Sequence, residues 1–412
     1  MIHLSKIKIQ EKMEQNGIST FKELAEKLDI TSNQLSIILS EKYSPVKQKI
    51  NELCDLLNVD SLDDICDFTG RNKENEQKVE DNDVTAIELF AGAGGLALGL
   101  EKAGIKTLEY VEIDKACCET LKKNRPKWNV VCDDIHNVDF SKYAGKVDIV
   151  TGGFPCQAFS YAGKKMGFND VRGTLFYEFA RCVKEVSPKM FMAENVRGLI
   201  SHDGGRTLNT IISVFEDLGY KVQYKVLNAS YYGVGQKRER IVLIGIRNDF
   251  ETEFTYPIAD KKQTTLKEAL RDCPQSPGIS YSEKKAKVFK LVPPGGCWVD
   301  LPEDVAKEYM GKSYYSGGGK RGMARRISWD EPCLTLTCSP SQKQTDRCHP
   351  DEVRPFTVRE YARIQSFPDN WTFCGGIGSQ YKQIGNAVPV ELARRVGVEI
   401  VKSINEGREI NG

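Results

Sequence analysis

The 412-residue sequence predicts an α/β fold with a mainly parallel sheet, preceded by a small all-α domain and joined to a smaller irregular domain. Helical periodicity ends at a polar run over 69–83, and apolar strand-like runs then alternate with amphipathic helices over 84–247. The alternation stops over 248–352 and regular helical patterns return over 353–412. We therefore predict domains at 1–68, 84–247 and 248–352, a linker at 69–83, and a C-terminal segment at 353–412.

The composition excludes several classes of protein. Hydrophobic residues make up 40% of the chain, which argues against a disordered protein, and no run approaches the roughly 20 apolar residues of a membrane span. The 13 cysteines lack paired spacing and predict reduced thiols, and the proximity of Cys333, Cys338, Cys348 and His349 lacks zinc spacing. We expect a cytoplasmic protein without a metal site.

The first 68 residues predict three helices. Thr20 with Glu23 forms a capping-box pattern before FKELAEKL, and either Thr31 or Ser32 can cap NQLSIILSE, which SPVKQKINELCDLLNV follows. Two short helices joined by a tight turn resemble helix-turn-helix domains of the phage-repressor type. That resemblance implies DNA contacts at the start of the second helix, by Thr31, Ser32, Asn33 and Gln34. The alternative is a small helical packing or dimerisation module.

From residue 84 onward, the runs VTAIELF, TLEYVEI, NVVC, KVDIVTG, KMFMAE and IVLIGI predict strands. The helical patterns that accompany them are LALGLEKAG, ACCETLKKN, TLFYEFARCVKEV and TLNTIISVFEDLG. This alternation is typical of an open sheet, and such sheets bind ligands beyond the carboxyl ends of their strands. The helix-like runs TVREYARIQSF and PVELARRVGVEIVKSI follow near the C-terminus.

A glycine loop and two acids predict a nucleoside-containing cofactor. The loop FAGAGG at 90–95 ends the first strand, Glu112 ends the second strand 20 residues beyond Gly92, and Asp134 follows the third strand. Glycines let the backbone approach a ligand, and a strand-end carboxylate can bond ribose hydroxyls. The phosphate-loop pattern is absent, whereas a dinucleotide remains an alternative with imperfect glycine spacing.

A cysteine and a glutamate follow the next two strands. Cys156 lies in GGFPCQ, a constrained turn that suits a presented nucleophile, and Glu194 lies in AENVRG. A cysteine–histidine hydrolase is the poorer alternative, because only His202 among the four histidines lies near a strand end.

These motifs, in this order, resemble those of the S-adenosylmethionine-dependent DNA (cytosine-5)-methyltransferases of bacterial restriction-modification systems. The likeness extends over most of 83–404, through IELFAGAGGL, VEID, GGFPCQAFS, AENVRG, QKRERIVLIG, TVREYARIQSFP and QIGNAVP. It implies a Rossmann-like catalytic domain, a target-recognition domain at 248–352 and a C-terminal segment that returns to the catalytic domain.

The resemblance also implies roles for particular residues. Cys156 would add to cytosine C6, Glu194 would bind N3 and the exocyclic amine, and Arg240 would hold O2, with Arg238 supporting it. The implied S-adenosylmethionine contacts are Phe90, Gly92, Gly94, Gly95, Glu112, Ile113, Asp134, Ile135, Pro155 and Asn386. Ile113 stands where some relatives carry an aromatic residue, so adenine packing there is expected to be weaker.

The net charge of +1 hides a basic stretch. From Lys221 to Arg326 there are 20 Lys and Arg against 12 Asp and Glu, a net charge of +8, and the remainder carries −7. This stretch overlaps the predicted target-recognition domain, and Arg321, Arg325, Arg326 and Thr335 are the candidate DNA contacts. We expect duplex DNA as substrate, a cognate restriction endonuclease as genetic partner, promoter DNA as a ligand of 1–68, and association with the nucleoid.

Two other functions fit parts of the pattern. A transfer-RNA cytosine methyltransferase shares related catalytic motifs, but the large variable region at 248–350 favours sequence-specific DNA. A DNA-binding regulator with an inactive methylase-like body is disfavoured because Cys156, Glu194 and Arg240 are all present.

Overall fold

The computed structural model describes residues 2–4, 6–39, 52–54, 56–57, 59, 66–68, 84–155, 175–315 and 322–411. The chain divides into two compact units, Met1–Lys78 and Val79–Gly412. The predicted linker at 69–83 and most of the predicted third N-terminal helix lie outside the described residues. In the described part of the chain, no helix has the length and apolar character needed to span a membrane.

The N-terminal unit contains the first predicted helix and most of the second, whose last residues Ser40 and Glu41 lie outside the described residues. Leu24, Leu35 and Leu57 are buried in its core. Its described elements are β1 (Ile2–Leu4), α1 (Lys6–Gln15), α2 (Phe21–Lys27), α3 (Ser32–Ile38) and β2 (Cys66–Phe68). Thr31, one of the two candidate caps, begins α3 through a reciprocal capping box with Gln34. The sequence prediction of an all-α domain missed the antiparallel pair of β1 and β2.

The second unit is built on a seven-stranded sheet in the order β5-β4-β3-β6-β7-β10-β8. Its strands are β3 (Thr85–Leu89), β4 (Lys106–Glu112), β5 (Val130–Cys132), β6 (Ile149–Gly152), β7 (Met190–Val196), β8 (Tyr220–Asn228) and β10 (Glu239–Arg247). The first five strands in that order are parallel, and β10 is antiparallel to both of its neighbours. The predicted mainly parallel sheet is therefore confirmed.

Helices cover both faces of this sheet because its strands are apolar on both sides. The helices between the strands are α4 (Gly95–Lys102), α5 (Lys115–Asn124), α6 (Leu175–Val186) and α7 (Arg206–Asp217). Phe179 of α6 and Phe215 of α7 pack on one face against Phe191. Leu100 of α4 packs on the other face with Ile149.

Short elements make up the described part of the region at 248–352. They are α8 (Leu266–Ala269), α9 (Glu283–Lys290), α10 (Glu303–Met310), β11 (Arg325–Arg326), β12 (Cys333–Leu334) and β13 (Arg347–Cys348). A small apolar cluster that includes Phe289, Val292 and Leu301 forms a core of its own. Strand β12 pairs with β9 (Gln236–Lys237), which ties this region to the segment just before β10.

The C-terminal segment belongs to the same compact unit as the seven-stranded sheet. Its helices are α11 (Val358–Ile364), α12 (Ile377–Asn386) and α13 (Val390–Asn411). Helix α13 lies so close to α4 that a Cβ on Gly99 would come within 2.4 Å of the Ala393 Cβ. Helix α12 is not among the helical patterns predicted from the sequence. Asn386 is the last residue of this helix.

Candidate active site

A buried ion pair lies at the carboxyl edge of the sheet. Nε of Arg240 is 2.7 Å from Oε1 of Glu194, and the two side chains are only 11% and 12% exposed. Val242 faces Glu194 in the β7–β10 register, so Arg240, two residues away on β10, projects from the same face of the sheet. Two of the predicted catalytic residues are thus in direct contact.

The loop that leads to Cys156 is anchored beside this pair. The buried Asn195 side chain donates a hydrogen bond to the carbonyl of Phe154 at 2.9 Å. A Cβ on Gly153 would lie 3.0 Å from Oε2 of Glu194, so glycine allows the loop to pass close to that carboxylate. Pro155 follows and is exposed, whereas Cys156 lies outside the described residues.

Arg238 lies beside the ion pair but is bound to the protein itself. Its buried guanidinium donates to the carbonyls of Leu336 at 3.1 Å and Gly385 at 2.9 Å. Burial, together with the nearby positive charge of Arg240, lowers the pKa of this guanidinium to about 9, which leaves it charged at neutral pH. These contacts favour Arg238 as a positioning residue that joins the region at 248–352 to the C-terminal segment.

The glycine loop and Glu112 form a preorganised acceptor at the ends of β3 and β4. One carboxylate oxygen of Glu112 accepts from the Gly92 N–H and the other from the Asp114 N–H, each at 2.7 Å. Phe90 and Gly92 have φ values of 56°, so the loop turns sharply through left-handed conformations. Each carboxylate oxygen keeps a further lone pair for a ribose hydroxyl.

Glycine is required at Gly94 and Gly95 for packing. A Cβ on Gly94 would lie 2.9 Å from the Trp371 ring, and one on Gly95 would lie 2.1 Å from the Val388 carbonyl oxygen. The Trp371 indole N–H also donates to the Ala93 carbonyl at 3.2 Å. The C-terminal segment therefore holds the loop in place.

The side chains around this loop fit a nucleoside. Ile113 follows Glu112 with 65% of its surface exposed, which provides an apolar face for a base. Asp134 is half-buried. Its Oδ1 accepts a hydrogen bond from the His136 main-chain N–H at 3.0 Å and lies 2.6 Å from the His136 ring nitrogen Nδ1, and these two contacts lower the pKa of Asp134. Ile135 is 3% exposed in the core, so its main chain rather than its side chain is the group that could contact a cofactor.

Asn386 reaches the same edge from α12. Its Oδ1 lies 2.9 Å from the thiol sulfur of Cys338, an exposed residue. The neighbouring helix residue Lys382 pairs with Asp114 at 3.2 Å, which connects α12 to the loop after Glu112. The predicted cofactor residues thus come from both ends of the second compact unit, Val79–Gly412, which is called the catalytic unit below.

An open cleft of about 490 Å³ adjoins the ion pair. It is lined by Val196, Arg197, Gly198, Asn228, Lys237, Glu239, Arg240 and Thr335. Three of these residues are cationic and one is acidic, which suits a polyanionic ligand. The hydroxyl of Thr335 donates to the Lys237 carbonyl at 2.7 Å, so this candidate DNA contact lies at the wall of the cleft.

The other predicted DNA contacts of this unit are placed differently. Arg325 donates to the carbonyl of Gly295 and pairs with Glu331, and Arg326 donates to the carbonyls of Val292, Pro350 and Asp351. A direct DNA contact by either arginine would have to compete with these bonds. Arg321 lies outside the described residues.

In the N-terminal unit, all four predicted contacts are exposed at the start of α3. Thr31 and Gln34 are engaged in the capping box, whereas Asn33, two residues before the buried Leu35, lies on the opposite side of the helix. The exposed face continues through Ser36 and Ile37.

Several residues near the site were not among the candidates from sequence. Asn195 and Arg197 stand inside AENVRG and Lys237 stands inside QKRER, so their place in these motifs was the available signal. Nothing comparable pointed to Cys338 or Trp371, because their contacts come from distant parts of the chain.

Comparison with known proteins shows the family to which the chain belongs. Residues 84–402 match the family of C-5 cytosine-specific DNA methylases, and residues 8–70 match the Cro/C1-type helix-turn-helix DNA-binding domain. The type II methyltransferase M.Sau96I of Staphylococcus aureus is 53% identical over 98% of this chain and all of its own length. The type II methyltransferase M.Eco47II of Escherichia coli is 58% identical, over 80% of this chain and 82% of its own.

Solved structures have the same fold. A putative DNA modification methyltransferase encoded within an E. coli prophage superposes with a TM-score of 0.58 at 25% identity, covering 78% of this chain and 99% of that chain. A DNMT2 variant from Spodoptera frugiperda superposes with a TM-score of 0.56 at 18% identity, with the same coverage, which bears on the fold alone.

The fold and the site define a methyltransferase that acts on nucleic acid. The chain belongs to the family of C-5 cytosine-specific DNA methylases, and its N-terminal unit is a helix-turn-helix domain. It is a type II DNA (cytosine-5)-methyltransferase of the restriction-modification kind, with S-adenosylmethionine as the methyl donor of the family. The transfer-RNA alternative is not supported by these matches.

Proposed function

We propose that this enzyme methylates C5 of a cytosine within a short duplex sequence through a covalent adduct between Cys156 and C6 of the flipped base. The observation that carries the proposal is the buried pair of Glu194 and Arg240 beside the anchored loop that leads to Cys156. A cytosine ring is a weak nucleophile at C5, so addition of a thiolate at C6 is needed to make C5 reactive.

Glu194 and Arg240 would stabilise the ring while it carries the thiol. Glu194 is in reach of a base that enters the edge of the sheet, where it would bind N3 and the exocyclic amine. Arg240 would hold O2 and keep Glu194 oriented through the 2.7 Å contact. Low exposure strengthens both interactions, because water competes little there. After methylation, loss of the C5 proton lets Cys156 leave and restores the ring.

Duplex DNA must present the cytosine outside the stack. Flipping the base costs a few kcal/mol. Contacts of the enzyme to the DNA backbone, and to the base that loses its pairing partner, must offset this cost. The cationic cleft beside Arg240 is the surface that would receive the DNA, with Thr335 at its wall.

The cofactor site would hold S-adenosylmethionine at the ends of β3 and β4. This compound supplies an electrophilic methyl group on sulfur. The preorganised Glu112 carboxylate fits ribose hydroxyls, exposed Ile113 and part-buried Phe90 fit the two faces of an adenine, and Asp134 fits its amino group. Asn386, the glycine loop and Pro155 would enclose the methionine end.

The test combines a product assay with a trap. Purified protein is incubated with duplex DNA and labelled S-adenosylmethionine, and bisulfite sequencing locates the modified cytosine. Duplexes with 5-fluorocytosine at that position cannot lose a C5 proton and should retain the protein under denaturing conditions. Cys156→Ser should abolish both signals, while Cys273→Ser serves as the matched control. Retention of full methylation by the Cys156 variant would refute the mechanism.

Modification would protect the DNA of the cell from a cognate restriction endonuclease. Genomic DNA from cells expressing the protein should resist the nuclease that cuts the sequence found by bisulfite mapping, and DNA from cells with the Cys156 variant should be cut.

We further propose that the N-terminal unit binds promoter DNA and regulates transcription of the methyltransferase or of a neighbouring restriction gene. The exposed start of α3 supports this, since recognition helices of this type read the major groove with their first residues. Asn33→Ala in the full chain should weaken promoter binding without changing methylation, and Glu26→Ala, at an exposed position of α2, is the control. Unchanged promoter binding after deletion of residues 1–70 would end this proposal.

A further inference from the structure

The mouth of the cleft holds a second, exposed ion pair. Arg197 and Glu239 approach to 2.7 Å, and their side chains are 65% and 41% exposed. Glu239 stands one residue before Arg240 and opposite Asn228 in the strand register, so its carboxylate lies at the wall of the same cleft. This pair therefore differs in exposure from the buried pair of Glu194 and Arg240 beside it.

A carboxylate in a cleft that receives DNA needs an explanation. An uncompensated negative charge there would repel phosphates, and Glu239 is the acidic residue among the eight that line the cleft. Pairing with Arg197 neutralises it in the free enzyme. An ion pair as exposed as this one contributes little, so it can exchange partners at small cost.

A phosphate is a better partner for Arg197 than Glu239 is. Guanidinium groups bind phosphate through paired, charge-assisted hydrogen bonds, and release of counterions from DNA adds a favourable term that an internal pair lacks. Arg197 follows β7 directly after Asn195 and Val196, so a phosphate bound to it would lie close to the ion pair that receives the base.

We propose that Arg197 binds a backbone phosphate of the DNA strand in the cleft, and that Glu239 competes with this phosphate by holding Arg197 in the free enzyme. The contact between Arg197 and the phosphate thus forms when DNA enters the cleft, and competition from Glu239 determines how strong that contact is. This inference rests on the proposed function, because it takes the cleft as the DNA site.

Substitutions at the two residues should act in opposite directions. Arg197→Ala removes one phosphate contact and should reduce the slope of log K against log salt by about 0.9. The ratio of wild-type to variant affinity should then shrink about 3.5-fold between ~50 and ~200 mM salt. Glu239→Gln removes the competitor and should tighten binding. Arg197→Gln, which keeps a polar side chain, should behave like Arg197→Ala.

Matched controls lie at the ends of β8 and β10 that are far from the cleft. Asp249→Asn, just beyond β10, removes one exposed negative charge, and Lys221→Ala on β8 removes one exposed positive charge. Nine residues of strand place them about 30 Å from the cleft, well beyond the roughly 10 Å screening length in moderate salt. Both controls should leave the affinity for DNA unchanged.

The experiment measures binding of the full-length protein to a duplex that contains the mapped target, by fluorescence anisotropy over a salt series. If Arg197→Ala and Glu239→Gln both weaken binding without changing the slope of log K against log salt, the pair only stabilises the wall of the cleft and the inference is overturned. Methylation by the wild-type protein is measured on the same duplex. Its absence would count against the proposed function, whereas methylation with an unchanged slope would count against Arg197 alone.

Discussion

Removal of either partner of the Glu194–Arg240 pair should destabilise the catalytic unit. Removal of both should lower the free energy of unfolding by less than the sum of the two single losses. At 2.7 Å and an effective dielectric constant of about 20, the direct attraction is roughly 6 kcal/mol before desolvation is subtracted. Leaving one buried charge without its partner typically costs 3–5 kcal/mol. Arg240→Leu and Glu194→Gln should therefore be coupled by about 2–3 kcal/mol, because the double variant leaves no buried charge unpaired.

The assay is urea unfolding followed by tryptophan fluorescence. The four tryptophans, Trp128, Trp298, Trp329 and Trp371, all belong to the catalytic unit, so the signal does not report the N-terminal unit. Arg247 and Asp249 pair at the far end of β10 with side chains that are 28% and 70% exposed, more than those of the buried pair. They provide the control cycle and should show coupling below about 0.5 kcal/mol. Additive losses at Glu194 and Arg240 would refute the reasoning, since they would show that the contact contributes no net energy.

Three further outcomes follow from the structure. Burial, reinforced by the charge of Arg354, lowers the pKa of His349, whose Nδ1 accepts two main-chain N–H groups and is therefore neutral. Because the folded pKa lies below the unfolded value of about 6.5, stability should fall as pH drops from 7 to 5, and urea unfolding of His349→Gln should show a smaller fall. Ile113→Ala should raise Kd for S-adenosylmethionine about 5- to 30-fold by removing apolar surface, and Ile113→Phe should lower it, as isothermal titration would measure. Asn195→Ala leaves the buried carbonyl of Phe154 unpaired, so it should lower the free energy of unfolding by about 1–3 kcal/mol. It should also reduce kcat more than it changes KM for the cofactor, and an unchanged kcat would contradict the role given to this bond.

The strands and helices of the sheet were predictable because their signals are local. An apolar run bounded by turn residues specifies a buried strand wherever it lies, and the six predicted strands are all present. The strand Tyr220–Asn228 was missed because Lys221, Gln223 and Lys225 interrupt its apolar residues, as is common at a sheet edge.

The role of individual arginines was less predictable. Arg238 was a candidate for catalysis because of the family resemblance, whereas Arg325 and Arg326 were candidates for DNA contact because of their charge. In the structure their guanidinium groups bind carbonyls that come from elsewhere in the chain; the Gly385 carbonyl bound by Arg238 is 147 residues away. Residue type specifies the donor, whereas the position of the acceptor depends on the packed chain.

The amino-acid sequence by itself determined the α/β class, the helix-turn-helix domain and the family, because periodicity, capping residues and motif order are properties of short segments. Tertiary structure alone decided that Glu194 pairs with Arg240, that Trp371 closes the glycine loop, and that Arg197 meets Glu239 at the cleft. The reason is physical: each of these contacts joins residues distant in the chain, and their distances depend on how strands register and helices pack rather than on the residues themselves.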